Sequence, residues 1–381
     1  MKKTLIALAA AAATGAFAQA TVTISGNLDV AGASISGTGL PYRGTTFTTG
    51  TGTSSTSVLR FIATEDLGGG MKVTAQYNFD PRTITDDSLS TQQATETPGS
   101  TSNAGITARG LGRDEAFIGL SGGFGNIRLG APNAISLDAH GASSPLGTGI
   151  GSGWSLTGQS ASMASGFTAA RYNRSIRYDS PAMGGLKVAL LHAPGNDQTN
   201  TATSSVTAGT TAALAIQNAR NTTEFGLSYA SANFNASLAY INQAAQTNSG
   251  GFYANAAIGT AATNATSIGA NLKVANTTFY VGTAGGDNQL GTRFTFTRVA
   301  VKQSLGQLDL MASASRYVTG TSTETVATVN GLRADYNLSK TAAVYLGYES
   351  GDSGTAYVDN TSVRTSSGDR QITSIGLRKS F

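Results

Sequence analysis

The sequence predicts an all-β fold, a sixteen-stranded antiparallel transmembrane β-barrel. Three observations predict it. Short segments alternate apolar and polar residues, seven tight turns alternate with long polar links, and the 381-residue chain is only 12% charged, with 48 glycines and no cysteine. Soluble globular domains carry about 25% charged residues.

The alternation has period two, the signature of a strand. In the first segment Val22, Ile24, Leu28 and Val30 share one face, and Thr23, Ser25, Asn27 and Asp29 share the other. Leu59 and Phe61 flank Arg60, Ile127 and Leu129 flank Arg128, and Ile176 and Tyr178 flank Arg177. The last segment sets Ile375, Leu377 and Phe381 against Ser374, Gly376 and Arg378.

The tight turns fall at Gly68-Gly69-Gly70, Gly122-Gly123-Phe124, Met183-Gly184-Gly185, Ser231-Ala232-Asn233, Ala275-Asn276-Thr277, Leu305-Gly306-Gln307 and Leu338-Ser339-Lys340. Several carry the glycines that hairpins require. Between them lie unperiodic links such as 34–57, 82–109, 131–170, 194–220 and 242–266, dominated by Ser, Thr, Gly, Ala and Asn. A barrel with both termini at the turn end has one turn fewer than half its strands. Seven turns therefore give sixteen strands and eight loops, the up-and-down plan of outer-membrane barrels. Closure follows from physics, because hydrocarbon cannot satisfy the bare N–H and C=O groups of a sheet edge.

The first twenty residues read as a secretory signal peptide: basic Met1-Lys2-Lys3, apolar Leu5 to Phe17, then Ala18-Gln19-Ala20 as the cleavage site. Residues 21–381 are then one barrel domain. Without Lys2 and Lys3, 23 basic residues face 21 acidic ones, a net charge of +2 and no basic stripe for nucleic acid. The lack of cysteine excludes thiolate metal sites, and no cofactor is implied. Gly119-Leu120-Ser121-Gly122-Gly123 matches a hydrolase nucleophile elbow, but it sits in a strand–turn–strand context, with only His140 and His192 in the chain. It reads as a turn, and the chain as no enzyme. Asp352, Asp359 and Asp369 fit no cation-binding loop and read as solvated acids.

Several stretches carry a family resemblance. Val22 to Ala31 (VTISGNLDVA), Thr64 to Gly70 (TEDLGGG), Gly119 to Gly125 (GLSGGFG), Asn173 to Pro181 (NRSIRYDSP), Asp335 to Lys340 (DYNLSK) and Ile375 to Phe381 (IGLRKSF) resemble the general-diffusion porins of β-proteobacteria. The resemblance implies a homotrimer in the cell outer membrane, with the third loop folded into the lumen of each barrel and narrowing it. It also implies that the terminal Phe381 is read by the assembly machinery. The chain departs from the family where Val58 replaces a frequent arginine, where Asp114-Glu115 stand in place of Arg-Gln, and where Gly130-Ala131-Pro132 replaces Gly-Arg-Gln.

These readings converge on a passive channel for small hydrophilic solutes and inorganic ions, embedded in outer-membrane lipid. A solute-specific channel and a surface adhesin or receptor barrel are the alternatives. A charge facing hydrocarbon costs about 2–4 kcal/mol at mid-depth, so Arg60, Arg128 and Arg177 should face the lumen. The expected constriction comprises Arg60, Arg128, Arg171 and Arg177 on the wall and Glu115, in phase with Phe117 and Gly119, beside them. Asp138 and Trp154 of the third loop should stand opposite. Arg174 is out of phase with its neighbours. Rings of one charge set ion preference, so the pore is expected to favour anions mildly. Phe381 should close the last strand facing lipid.

Overall fold

The computed structural model describes residues 20–37, 44–48, 52–79, 114–152, 170–195, 221–245, 262–287, 292–320, 325–353, 356–358, 363–365 and 368–381. Residues 1–19 of the expected signal peptide and Trp154 lie outside them. In chain order the strands are β1 (Thr21–Gly37), β2 (Gly44–Thr48), β3 (Val58–Gly68), β4 (Met71–Phe79), β5 (Ala116–Gly122), β6 (Gly125–Ala131), β7 (Ser175–Asp179), β8 (Leu186–Ala193), β9 (Thr222–Ala230) and β10 (Phe234–Gln243). Next come β11 (Thr263–Val274), β12 (Thr277–Asp287), β13 (Arg293–Leu305), β14 (Leu308–Thr319), β15 (Thr325–Asn337), β16 (Ala342–Ser353), β17 (Ala356–Val358), β18 (Val363–Thr365) and β19 (Gly368–Ser380).

Sixteen of these strands form a closed antiparallel ring. Each pairs with the next from β3 to β16, β16 pairs with β19, and β1 closes the ring between β19 and β3. The short β2 extends the wall beside β1, pairing Ala31–Ile35 with Gly44–Thr48, and β17–β18 form a separate two-stranded ribbon. The seven tight turns fall where the glycine-rich and Asn-containing segments predicted them, and Gly68, Gly69 and Gly70 all have positive φ, which β-carbons disfavour. At the closure, Gly26 and Phe381 exchange two backbone hydrogen bonds of 2.9 and 3.0 Å. The Phe381 ring covers the flank of Gly26.

The ring is inside-out relative to a soluble protein. Val22, Ile24, Ile118, Leu129, Ile176, Val281, Val299, Leu332, Leu346, Ile375 and Leu377 project from the outer face, where Ile375 is 67% exposed. Asp29, Arg177, Glu224, Arg298, Arg333, Asp335 and Glu349 are buried on the inner face. Alternation places the charges on the inner face, and among the described residues no apolar core fills the barrel centre as it would fill a sandwich. Two apolar clusters lie between the inner wall and the segments that pack on it, and a third joins wall residues Ala265, Ala284, Phe294 and Phe296. One joins Ile135, Ala139 and Tyr172 to Leu191 and Ala239, and a second joins Ile150 to Ala33, Ile35 and Ile372.

The 131–170 link, read as irregular, contains a helix, α1 (Ile135–Ala142). Its sequence ISLDAHGA has little amphipathic pattern, and Ala134 offers no side-chain cap. Packing rather than propensity holds so short a helix.

Candidate functional site

Four residues expected at a constriction come together on the wall built by β5, β6 and β7. Cross-strand register places Gly119 opposite Arg128 and Arg128 opposite Arg177, so all three face inward. Glu115, immediately before β5, accepts a hydrogen bond from Arg128 at 3.3 Å and one from the backbone N–H of Asn133 at 3.1 Å. The Arg128 guanidinium lies over the Phe117 ring, 5.5 Å from its centroid. Arg171, just before β7, pairs with Asp114 at 2.8 Å and bonds the Asn133 side chain at 3.3 Å. Arg174 stands on the loop side of β7 with φ 56°, outside the strand's alternation.

The expected arrangement set the arginines on the wall and a nearly uncharged loop opposite, with Asp138 its one acid. Asp138 does not face Arg177 across an opening but bonds it directly at 2.7 Å. Asp179, which the sequence reading did not select, also bonds Arg177 at 2.7 Å and grips Arg128 with its second oxygen. The Arg177 side chain is only 7% exposed. Arg128, Arg171 and Arg177 thus meet Asp114, Glu115, Asp138 and Asp179, three cations against four carboxylates. Desolvation raises the Asp138 carboxyl pKa and Arg177 opposes that shift. Arg60 stands apart from this cluster. It faces inward opposite Ser25 and Asn78, but on β3, and lines a separate cavity with Lys340 and Arg378.

From this cluster the described residues 134–152 bond side chains of the wall strands. Glu224 of β9 accepts from the Ser136 backbone N–H at 2.9 Å, the Ser136 hydroxyl at 2.8 Å and the Tyr172 hydroxyl at 3.0 Å. Arg298 of β13 donates to the Ser152 carbonyl at 2.8 Å and to Nδ1 of His140 at 3.3 Å. Ser313 donates to the Gly151 carbonyl at 2.6 Å, and Glu349 accepts from the Gly151 N–H at 2.8 Å. The Ile150 N–H then reaches the Thr53 carbonyl at 2.7 Å. Beside it Asp29 holds Ser54 and Ser55 at 2.7 and 2.9 Å. Thr53 of the first link and Ile150 of the third therefore meet.

Glycines make room for this path. A β-carbon on Gly226 would lie 2.2 Å from Ile135, one on Gly269 1.9 Å from the Ala139 carbonyl, and one on Gly282 2.5 Å from Ser143. On Gly331 it would meet the Gly151 carbonyl at 2.0 Å, and on Gly347 the Ile150 side chain at 2.4 Å. Inward glycines on five strands thus form a shallow seat. A glycine inside a strand marks close backbone approach, so this signal was present in the sequence.

His140 is not a solvated loop residue. It is fully enclosed, and burial together with the Arg298 charge lowers its pKa to about 3. Its Nδ1 faces a guanidinium donor, so the proton sits on Nε2, which bonds the Gly147 carbonyl at 2.9 Å. Among the described residues no group of His, Asp and Glu is arranged to hold a metal ion.

Comparisons with known proteins agree with this architecture. The family model of Gram-negative porins matches residues 4–356. Outer membrane porin protein 32 of Delftia acidovorans is 32% identical over 212 residues, spanning 52% of this chain and 51% of that protein. The chain thus matches about half the length of this curated relative. The anion-selective porin from Comamonas acidovorans superimposes with a TM-score of 0.66 at 18% identity, covering 95% of this chain and 100% of that one. The trimer form of OmpT from Vibrio cholerae gives a TM-score of 0.62 at 12% identity over 96% and 100% of the two chains. The matched family model and the closed, inside-out barrel lead to one identification: the chain belongs to the Gram-negative porin family.

Proposed function

We propose that this chain is a passive outer-membrane diffusion channel for small hydrophilic solutes and inorganic ions, with a mild preference for anions. The observation that carries the reading is the closed ring whose inner face holds the charges and whose outer face is apolar. A polar lumen inside a lipid-facing band is what a water-filled channel requires. The third loop enters this lumen and narrows it, between the Arg128, Arg171 and Arg177 cluster and the wall of β9–β16. Support comes from the hydrogen bonds that α1 and residues 143–152 make to inward side chains. The preference is mild because the three cluster arginines face four carboxylates, which leaves Arg60 as the expected wall cation outside that pairing. Trimeric assembly is part of the proposal, supported by the trimer form of the Vibrio cholerae relative.

Purified protein in planar bilayers tests the reading. Conductance should rise linearly with KCl concentration, and reversal potentials under a KCl gradient should favour chloride modestly. Saturating conductance would point to a solute-specific channel, and a clear cation preference at low salt would overturn the proposed selectivity.

A further inference from the structure

A second concentration of charge lies on the inner wall away from the paired cluster. Between β1, β3, β16, β19 and the 338–341 turn, a cavity of about 420 Å³ opens beside the closure of the barrel. Arg60, Lys340 and Arg378 line it, together with Ser, Thr, Asn and Ala residues and, among the described residues, no carboxylate. Arg60 and Lys340 form no ion pair among the described residues. Arg378 has only a distant acid, Asp335 at 3.9 Å, which is already bonded to Arg333 at 2.9 Å.

The rest of the inner wall follows a different rule. Its buried arginines are satisfied by carboxylates, as in the Arg128 and Arg177 cluster, or by backbone carbonyls, as Arg298 is by Ser152. Three cations gathered around one opening, with Asp335 their one distant acid among the described residues, repel one another. They create a local positive potential that low-dielectric walls focus. Guanidinium groups bind carboxylate and phosphate oxygens in a two-pronged manner, and the ammonium adds a point charge. The volume is far larger than a chloride ion needs. The cavity lies at the end with short turns, which is periplasmic in barrels of this kind.

We propose that this cavity is a binding subsite for small polyanions, solutes bearing two or more carboxylate or phosphate groups, at the periplasmic end of the lumen. The subsite rests on the channel reading above and deepens it. Anion preference then arises at Arg60, Lys340 and Arg378 rather than at the third loop. Bound polyanion occupies the wall and lowers the chloride current through the barrel, most strongly at low ionic strength, where screening is weak.

The test is a titration of single-channel KCl current with citrate in one arm and inorganic pyrophosphate in the other, at low salt. Both or either should reduce the current saturably, and the arm that acts identifies the acid group recognised. The Arg60→Ala/Lys340→Ala double variant should need about tenfold more polyanion for half reduction, as the loss of two partly screened contacts implies. Lys340→Gln, on an exposed turn, is the second variant should the double variant fail to assemble, and it should weaken the effect in the same direction. No reduction by either polyanion, or equal reduction in the wild type and the variants, overturns the subsite. Absence of any KCl conductance in the wild type would instead refute the channel reading.

Discussion

Replacing Asp179 by Asn tests whether the surplus carboxylate of the arginine cluster acts on passing ions. Asp179 is the carboxylate shared by Arg128 and Arg177, and Asn preserves its shape while removing one negative charge. Three cations would then face three carboxylates, a change of +1 on the lumen wall. For an ion about 8 Å away, Coulomb's law in water with screening at 0.15 M gives about 0.2 kcal/mol. The effect has opposite sign for the two ions of KCl, so the permeability ratio should move toward chloride about twofold. At 0.01 M the Debye length is about 30 Å, and the same charge should move the ratio about fourfold. The assay is the reversal potential across a bilayer under a KCl gradient at both salt levels. An unchanged ratio, or an equal shift at both salts, would refute the claim that the charge of Asp179 acts on ions in the passage.

Three other outcomes follow from the geometry. Gly269→Val forces side-chain atoms against the Ala139 carbonyl, since even a β-carbon at that position would lie 1.9 Å from its oxygen; it should cost about 1–3 kcal/mol and loosen α1, seen as proteolysis within 131–170 and a noisier channel, whereas wild-type protection would contradict the glycine seat. Phe381, 55% exposed and bonded to Gly26 through its backbone, should be required at the closure, so its deletion should lower the yield of heat-resistant barrel in the outer membrane, and a normal yield would remove that role. His140 has a folded pKa lowered to about 3 from an ordinary value of 6.5, so protons bind the unfolded state first. Its contribution is fully present above about pH 6.5 and is lost as pH falls toward 3; wild-type protection of α1 from proteolysis should decline over that window, His140→Asn should flatten the decline, and a parallel decline in both would refute the assignment.

Local rules in the sequence determined the strands, their inward and outward faces, and the seven turns. Period two is set by the pleat, and turn chemistry by a few neighbouring residues, so Arg128 and Arg177 could be placed inward without knowing what they meet. One partner was legible as well: Asp179 follows Arg177 by two residues and must share its face. Only the tertiary structure decided the rest. Asp138 reaches Arg177 from a helix 39 residues earlier in the chain, and Glu349 meets Gly151 across 198 residues. The five inward glycines became a seat only once the ring closed and brought their strands under one loop. Arg60 shows the division most plainly. Its lumen-facing phase is a local property fixed by the cost of charge in lipid, but its separation from the paired arginines depends on the order of strands around the ring, and charge pairing is set by distance in space.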